Sequence, residues 1–296
     1  MSAAPAPFRR LGIVGHPRYP GLEPALETLR RFAAARGLEL RAEPGLEPLL
    51  PGAGPLEPLD ELDLLLTFGG DGTLLRGARL VAPHGVPVLG INLGYVGFLT
   101  AIAPTELAPS LERLVRGEYW LDRRMTLEAR IGDADGAGRY LALNDAVLHK
   151  GGFARVVRLA IFVGEEREEV GSYAADGIIL STPTGSTAYS LSAGGAIVVP
   201  SVECILATPI CPHTLAVRPL VLPADTVVTV EPLSPTEELV LTVDGQVGEP
   251  VRSGDRLTVR RSPVTAALVR FPGQSFFSTL RRKLHWAIEQ DGRPGH

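Results

Sequence analysis

Cysteine is nearly absent: Cys204 and Cys211 are the only two in 296 residues. Their spacing fits neither a zinc knuckle nor a redox pair, which excludes a disulfide framework and leads us to expect two buried thiols in a reducing compartment. Neither sign of charge dominates, since 29 Lys and Arg face 33 Asp and Glu, for a net charge of −4 and a pI near 5.9. That balance argues against nucleic acid as a partner and against a basic membrane-surface protein. Apolar runs of membrane-spanning length are missing, and the first ten residues lack the apolar core of a signal peptide. No membrane partner and a cytoplasmic location are therefore expected. Two common nucleotide-binding patterns, G-x-G-x-x-G and G-x-x-x-x-G-K-[ST], do not occur. Glycine and proline, by contrast, are plentiful at 33 and 26 residues, scattered among strands and turns, which suggests rigid loops more than disorder.

The chain is organised around the stretch Asp63 to Arg76, DLLLTFGGDGTLLR. Asp63 to Phe68 is a short apolar run of the kind found in strands covered on both faces. Leu74, Leu75, Ala78 and Val81 then recur at helical spacing. Between them, three glycines flank one carboxylate and one hydroxyl, so the backbone can approach a ligand closely. A helix beginning near Thr73 would present unpaired amides and the positive end of its dipole, which suits a phosphate. Asp71 beside that anion site could take a proton from an attacking hydroxyl or hold a metal bridging phosphates. The turn alone leaves a second reading open, in which Gly-Gly-Asp-Gly is a tight connection and Asp71 or Thr73 a helix cap.

Length allows two domains. In order, the pattern predicts a strand at Leu11 to Val14 and a helix marked by Leu22, Ala25, Leu26, Leu29, Phe32 and Ala33, ending near Gly37. A strand at Leu38 to Ala42 follows, then a Pro/Gly-rich surface loop from Glu43 to Leu59 with room for one helical turn. After the central strand and its helix come a buried strand at Val86 to Asn92 and a helix from Thr105 to Arg116. Alternating strands and helices imply a parallel sheet, whose ligands gather at the carboxyl ends of its strands. From Tyr119 to Val269 the texture changes to short β-type runs: Met125 to Ile131, Tyr140 to His149, Val156 to Val163, Ile178 to Thr182, Val227 to Val230, Leu239 to Val243 and Leu257 to Arg261. Asp133 to Gly138 and Asp244–Gly245 look like hairpin turns. Phe276, Phe277, Leu280, Leu284 and Ala287 form a final helical stripe. The expected architecture is an α/β N-terminal domain with a parallel sheet (1–118) and an all-β C-terminal domain (119–269). A C-terminal helix within 270–296 is expected to pack back and is grouped with the first domain.

Two further features point to a ligand. Ser181 to Gly195, STPTGSTAYSLSAGG, runs from a buried strand into a stretch dense in hydroxyls and glycines with one tyrosine. It offers the backbone amides, short donors and aromatic face that a ribose and an adenine require. Asn144–Asp145 lies within a strand-like run although both residues are poor strand formers, and such local conflicts gather at functional sites.

GGDGT at Gly69 to Thr73 resembles the signature of a kinase superfamily that includes NAD kinases, diacylglycerol-type lipid kinases and, more distantly, phosphofructokinases. With Asn144–Asp145 and the Ser181 to Gly195 run in the same order, the chain resembles the NAD kinase family. INLGYVGFLT at Ile91 to Thr100, HTLAVRPLV at His213 to Val221, and the closing Lys283 to Trp286 extend the similarity over nearly the whole chain. The resemblance implies two domains forming a cleft in which ATP phosphorylates the adenosine 2′-hydroxyl of NAD, with Asp71 as catalytic base. It implies that Gly72 and Arg76 lie along the dinucleotide, that Phe98 helps enclose adenine, and that Asn144 and Asp145 hold the ribose hydroxyls. Arg155, Asp176, Thr187, Ala188, Tyr189, Ser190, Leu191, Ser192 and Gln246 would complete the NAD site, with Asp176 reaching a neighbouring subunit of a homo-oligomer, a dimer or tetramer. Mg²⁺ would be the metal, held chiefly by nucleotide phosphates because no aspartate-rich cage is visible. Ala174 and Ala196 depart from the family's usual arginine and proline and bear on how the nicotinamide end is held. A lipid kinase would need a greasy acceptor cleft and basic membrane-facing residues, and a non-catalytic NAD(P) sensor would lack the carboxylate that Asp71 supplies.

Overall fold

The computed structural model describes residues 8–94, 97–132, 138–151, 156–214, 216–233, 239–252 and 254–286. The chain forms two compact units, one of Met1–Gly77, Val86–Asp122 and Ala267–His296, the other of Ala78–Gly85 and Arg123–Ala266. The end of the helix Asp71–Val81 and the turn after it thus group with the second unit.

In the first unit the strands Val88–Asn92, Leu64–Gly69, Arg10–Gly15, Glu39–Ala42 and Gly54–Pro55 lie side by side in that order, all parallel. Every residue of Leu64–Gly69 and of Val88–Asn92 is buried, as a parallel strand covered on both faces requires. Leu22–Arg36 lays Leu22, Ala25, Leu26, Leu29, Phe32 and Ala33 on this core. It stops at Gly37, whose left-handed backbone (φ 64°) lets its N–H reach the Ala33 carbonyl. Leu107–Val115 adds Leu107, Leu111 and Leu114.

Two expectations need correction. The stretch from Glu43 to Leu59 is not merely a surface loop, for Leu46 and Leu50 are buried in the core and Gly54–Pro55 adds an edge strand. Its prolines hide isolated leucines that find the core through the turns around them; Pro55 is tolerated because it sits at the sheet edge. The central helix starts at Asp71, not near Thr73.

The second unit is a β-sandwich. One sheet contains Leu220–Pro223, Cys204–Ile210, Gly177–Ser181, Asp145–Lys150, Leu239–Val243 and Val247–Val251, in that order and antiparallel throughout. The facing layer includes Glu168–Ala175, Val157–Val163, Val228–Pro232 and the first part of Leu257–Arg270, with Trp120–Ile131 paired to Arg139–Ala142. Leu127, Leu159, Ile161, Val228 and Val259 from one layer meet Leu148, Ile178, Leu180, Ile205 and Leu241 from the other in a single core.

Four strands of this unit escape the sequence pattern: Glu168–Ala175, Cys204–Ile210, Leu220–Pro223 and Val247–Val251. The first is a bulged edge strand rich in glutamate and small residues, and the last two carry prolines or glycine, so pairing rather than propensity makes them strands. The run Tyr140 to His149 is two strands, broken at Leu143–Asn144. Of the cysteines only Cys204 is buried; Cys211 is exposed, just past its strand at φ 46°. The turn expected at Asp133 to Gly138 falls mainly outside the described residues. The last helix, Phe276–Leu284, is capped by Ser275, whose Oγ accepts the Ser278 N–H at 3.1 Å. It buries Leu280 while leaving Phe277 exposed, so its docking stripe is narrower than its sequence suggests; Ala287 lies outside the described residues. Among the described residues no helix is long and apolar enough to cross a membrane.

The inner strand of the first unit should be the costliest to damage. Leu66, fully buried in Leu64–Gly69, is expected to cost about 2–5 kcal/mol on truncation to alanine, measurable as a shift of the urea midpoint. A loss below about 1 kcal/mol would mean that this strand is not central to the core.

Candidate functional site

Within the first unit, chemistry-bearing residues collect at the carboxyl ends of the parallel strands. Asp71 opens its helix directly after Gly69–Gly70. Its carboxylate accepts three consecutive amides: Phe98 N–H on Oδ2 at 2.6 Å, and Leu99 and Thr100 N–H on Oδ1 at 3.0 and 3.1 Å. A carboxylate has about four lone-pair positions, so these bonds occupy three and leave one on Oδ2. The approach depends on Gly97, since a Cβ there would overlap the Asp71 carboxylate. The Thr73 and Leu74 N–H groups both donate to the Gly70 carbonyl, so the Thr73 amide is not available to an anion as the sequence suggested. Arg76 does not project freely either. Its guanidinium straddles Glu43, with Nη1 to Oε2 at 2.6 Å and Nη2 to Oε1 at 2.9 Å, while Glu43 Oε1 also accepts the Gly15 N–H at 2.6 Å.

In the second unit the strand break at Leu143–Asn144 removes several backbone groups from the sheet ladder. Buried backbone groups need partners, and each one is found. Asp244 accepts the N–H groups of Leu143, Asn144 and Asp145 at 3.1, 2.7 and 3.1 Å. Thr182 serves the carbonyls, its Oγ1 donating to Leu143 at 2.6 Å and its N–H to Asn144 at 2.9 Å. Gly185 closes against the Asn144 backbone, where a Cβ would overlap it. The Asp244 side chain is wholly buried, and Arg79 Nη1 pairs with its Oδ2 at 2.8 Å while Nη2 donates to Gln246 Oε1 at 2.7 Å. Thus Asp244–Gly245 is a hairpin, with both residues at positive φ (49° and 64°), and also the anchor of the break.

This anchoring leaves Asn144 Oδ1 buried with no hydrogen-bond partner among the described residues. Asp145 is 4% exposed, and burial first, then the Asp244 charge, pushes its carboxyl up to about 7. Next to them the hydroxyl-rich run forms a short turn at Gly185–Thr187 and a four-residue helix at Tyr189–Ser192. Ser190 bonds Thr208 at 2.9 Å inside the protein, whereas Tyr189 is 46% exposed. Among the described residues no three His, Cys, Asp or Glu side chains are grouped to hold a metal.

Residues 57–119 match the ATP-NAD kinase N-terminal domain and residues 143–271 the ATP-NAD kinase C-terminal domain. The chain is 50% identical over 279 residues to the NAD kinase of Gemmatimonas aurantiaca, spanning 94% of this chain and 96% of that protein. It belongs to the NAD kinase family. The NAD kinase of Solibacter usitatus is 42% identical over 285 residues, 94% of this chain and 98% of the relative. Among solved structures, yeast NADH kinase complexed with NADH superposes with a TM-score of 0.86 at 28% identity, over 98% of this chain and 91% of that one. An NAD kinase from Archaeoglobus fulgidus in complex with ATP gives 0.72 at 26% identity, over 94% and 99%.

Within this NAD kinase fold, the predicted residues fall into separate groups. Asp71, Gly72, Arg76 and Phe98 lie in the first unit, where Phe98 donates its amide to Asp71. In the second unit Asn144 and Asp145 adjoin Ser181, Thr182 and Gly185 at the start of the hydroxyl-rich run, and Gln246 is linked to them through Arg79 and Asp244. Asp176 is not with them. Ser181 pairs with Asp145 at one end of the strand Gly177–Ser181, and Asp176 precedes its other end, roughly 15 Å away at about 3.3 Å per residue. There its Oδ1 pairs with Lys150 Nζ at 2.6 Å. Arg155 lies outside the described residues. Asp244, Arg79, Glu43 and Lys150 were not foreseen as parts of the site: Asp244 carried a local signal, but Asp-Gly read simply as a turn. Thr182 and Gly185 lay within the hydroxyl-rich run and Gly97 within INLGYVGFLT, without the contacts they make being legible.

Asp145 should shape the pH dependence of stability. Its folded-state pKa of about 7 lies above the ordinary 3.8, so the folded protein holds the proton more tightly and loses stability as pH rises from about 4 through 7. Asp145→Asn removes that loss. Urea titrations at pH 5, 6, 7 and 8 should show the Asn variant gaining on the native protein as pH rises, and a pH-independent difference would contradict the buried, charge-strained carboxyl.

Proposed function

We propose that this protein transfers the γ-phosphoryl group of ATP to the adenosine 2′-hydroxyl of NAD, forming NADP, with Asp71 as the general base. The observation that carries this reading is the Asp71 carboxylate, oriented by three backbone amides at the strand ends with one Oδ2 lone pair left over. An alcohol is a weak nucleophile, and Oδ2 would take its proton as the new phosphate ester bond forms. Asn144 Oδ1 and the Asp145 carboxyl would receive ribose hydroxyls, filling a buried acceptor that has no partner among the described residues. Tyr189, which is exposed, would stack on adenine; Gly72 would allow close approach of a phosphate. Arg76 would exchange Glu43 for substrate phosphate. Arg155, Thr187, Ala188, Ser190, Leu191, Ser192 and Gln246 would complete the pocket, Ser190 through packing more than contact.

A divalent cation, Mg²⁺, would neutralise charge on the donor phosphates. The absence of a three-residue ligand cluster among the described residues is compatible with a cation carried by the nucleotide, with no protein cage. In this reading residues 1–118 with the helix in 270–296 handle phosphate, residues 119–269 bind NAD, and the enzyme works in the cytoplasm as a homo-oligomer. The placement of Asp176 away from Asn144–Asp145 supports a shared site, in which Asp176 serves the NAD of a neighbouring subunit.

The direct test is the purified protein with ATP, Mg²⁺ and NAD, read by an NADP-specific dehydrogenase; no NADP formation would overturn the reading. Asp71→Asn should retain the fold and NAD binding while turnover falls about 10²–10⁴-fold. Native-like turnover in that variant would remove Asp71 from the chemistry. For the shared site, Asp71→Asn and Asp176→Ala proteins, each weakly active alone, should regain activity when their subunits are mixed, because hybrids contain a site with both residues intact. Failure of verified hybrids to regain activity, or full activity in a monomer by light scattering, would count against sharing.

A further inference from the structure

The Arg79–Asp244 pair joins a helix to a hairpin. Asp244 accepts the three amides on either side of and within Asn144, and its carboxylate is entirely buried. Arg79, on the last turns of Asp71–Val81, supplies the charge opposite Asp244 and holds Gln246 with its other nitrogen. A buried carboxylate bonded only to amides and facing a second one at Asp145 is costly unless a cation is paired with it. Without that cation the buried Asp244 carboxylate would draw in water or turn away, and the Leu143–Asp145 amides would lose their common acceptor.

We infer that Arg79 and Asp244 are positioning residues for NAD: they hold Asn144 and Asp145 in the conformation that receives the ribose, without touching it themselves. The inference rests on the reading of Asn144–Asp145 as the ribose site. It follows from geometry because Asn144 is presented by a break in a strand, and the break has no sheet partners of its own to hold its shape. The fork of Arg79 suits this role, because one guanidinium nitrogen fixes Asp244 and the other fixes Gln246, across the same hairpin turn. Lysine would keep the charge with a single point of contact.

The test compares Arg79→Met, Arg79→Lys, Asp145→Ala and the Arg79→Met/Asp145→Ala double variant by calorimetric titration with NAD and, separately, with ATP and Mg²⁺. Arg79→Met should weaken NAD binding about tenfold, a coupling of ordinary size for a buried network, and leave ATP affinity within about twofold. Arg79→Lys should recover most of the NAD affinity. If Arg79 acts through Asp145, adding Arg79→Met to Asp145→Ala should cost less than about twofold more. Additive losses in the double variant, equal weakening of NAD and ATP, or unchanged NAD affinity in Arg79→Met would overturn the inference. Should Arg79→Met fail to fold, the same cycle with Arg79→Lys decides, since a partial NAD-specific loss that vanishes in the Asp145→Ala background supports positioning and an additive one refutes it. Failure of the underlying reading is separately visible: Asp145→Ala would then itself leave NAD affinity unchanged.

Discussion

Both units solve the same problem with the same device, a carboxylate that gathers three consecutive backbone N–H groups which no helix or sheet can satisfy. Asp71 does so for Phe98, Leu99 and Thr100, and Asp244 for Leu143, Asn144 and Asp145. A buried donor left unpaired costs about 1–3 kcal/mol, so three in succession would exclude either backbone path without its acid. In each case the captured segment is irregular, and the irregularity is what sets functional groups apart from the regular scaffold around them.

The two devices differ in what remains for chemistry. At Asp71 the acid itself is the reactive candidate, and the amides orient it. At Asp244 the acid is consumed by support, and the segment it supports carries the useful groups. Burial also acts on the supported segment: Asp145, shielded from water and close to Asp244, holds its proton up to about pH 7.

Glycine is the counterpart of these acids. Gly97 lets the Asp71 carboxylate reach the amides, and Gly185 lets the hydroxyl-rich turn close on Asn144. Both are contact requirements, imposed by a side chain or backbone from elsewhere in the chain. The same logic explains Thr182, whose hydroxyl and amide are used on two neighbouring carbonyls at the break.

What the sequence determined by itself was whatever local pattern encodes. The continuous apolar run before Gly69, the helical spacing of Leu22 to Ala33 and the arrest at Gly37 follow from covering both faces of a strand and one face of a helix. Asp71 and Asn144–Asp145 were legible because carboxylates between glycines, and polar residues inside a strand pattern, conflict with their local surroundings. Tertiary structure alone decided which distant groups resolve those conflicts. Asp244 is about a hundred residues from the amides it holds, Arg79 lies further still from Asp244, and Gly97 is separated from Asp71 by the rest of its helix, a turn and a strand. It also decided that Glu168–Ala175 and Cys204–Ile210 are strands, through pairing with neighbours, and that Asp176 stands at the far end of a strand from Asp145. Hydrogen-bond satisfaction and close packing depend on distance in space, and one-dimensional spacing carries no record of it until the chain has folded.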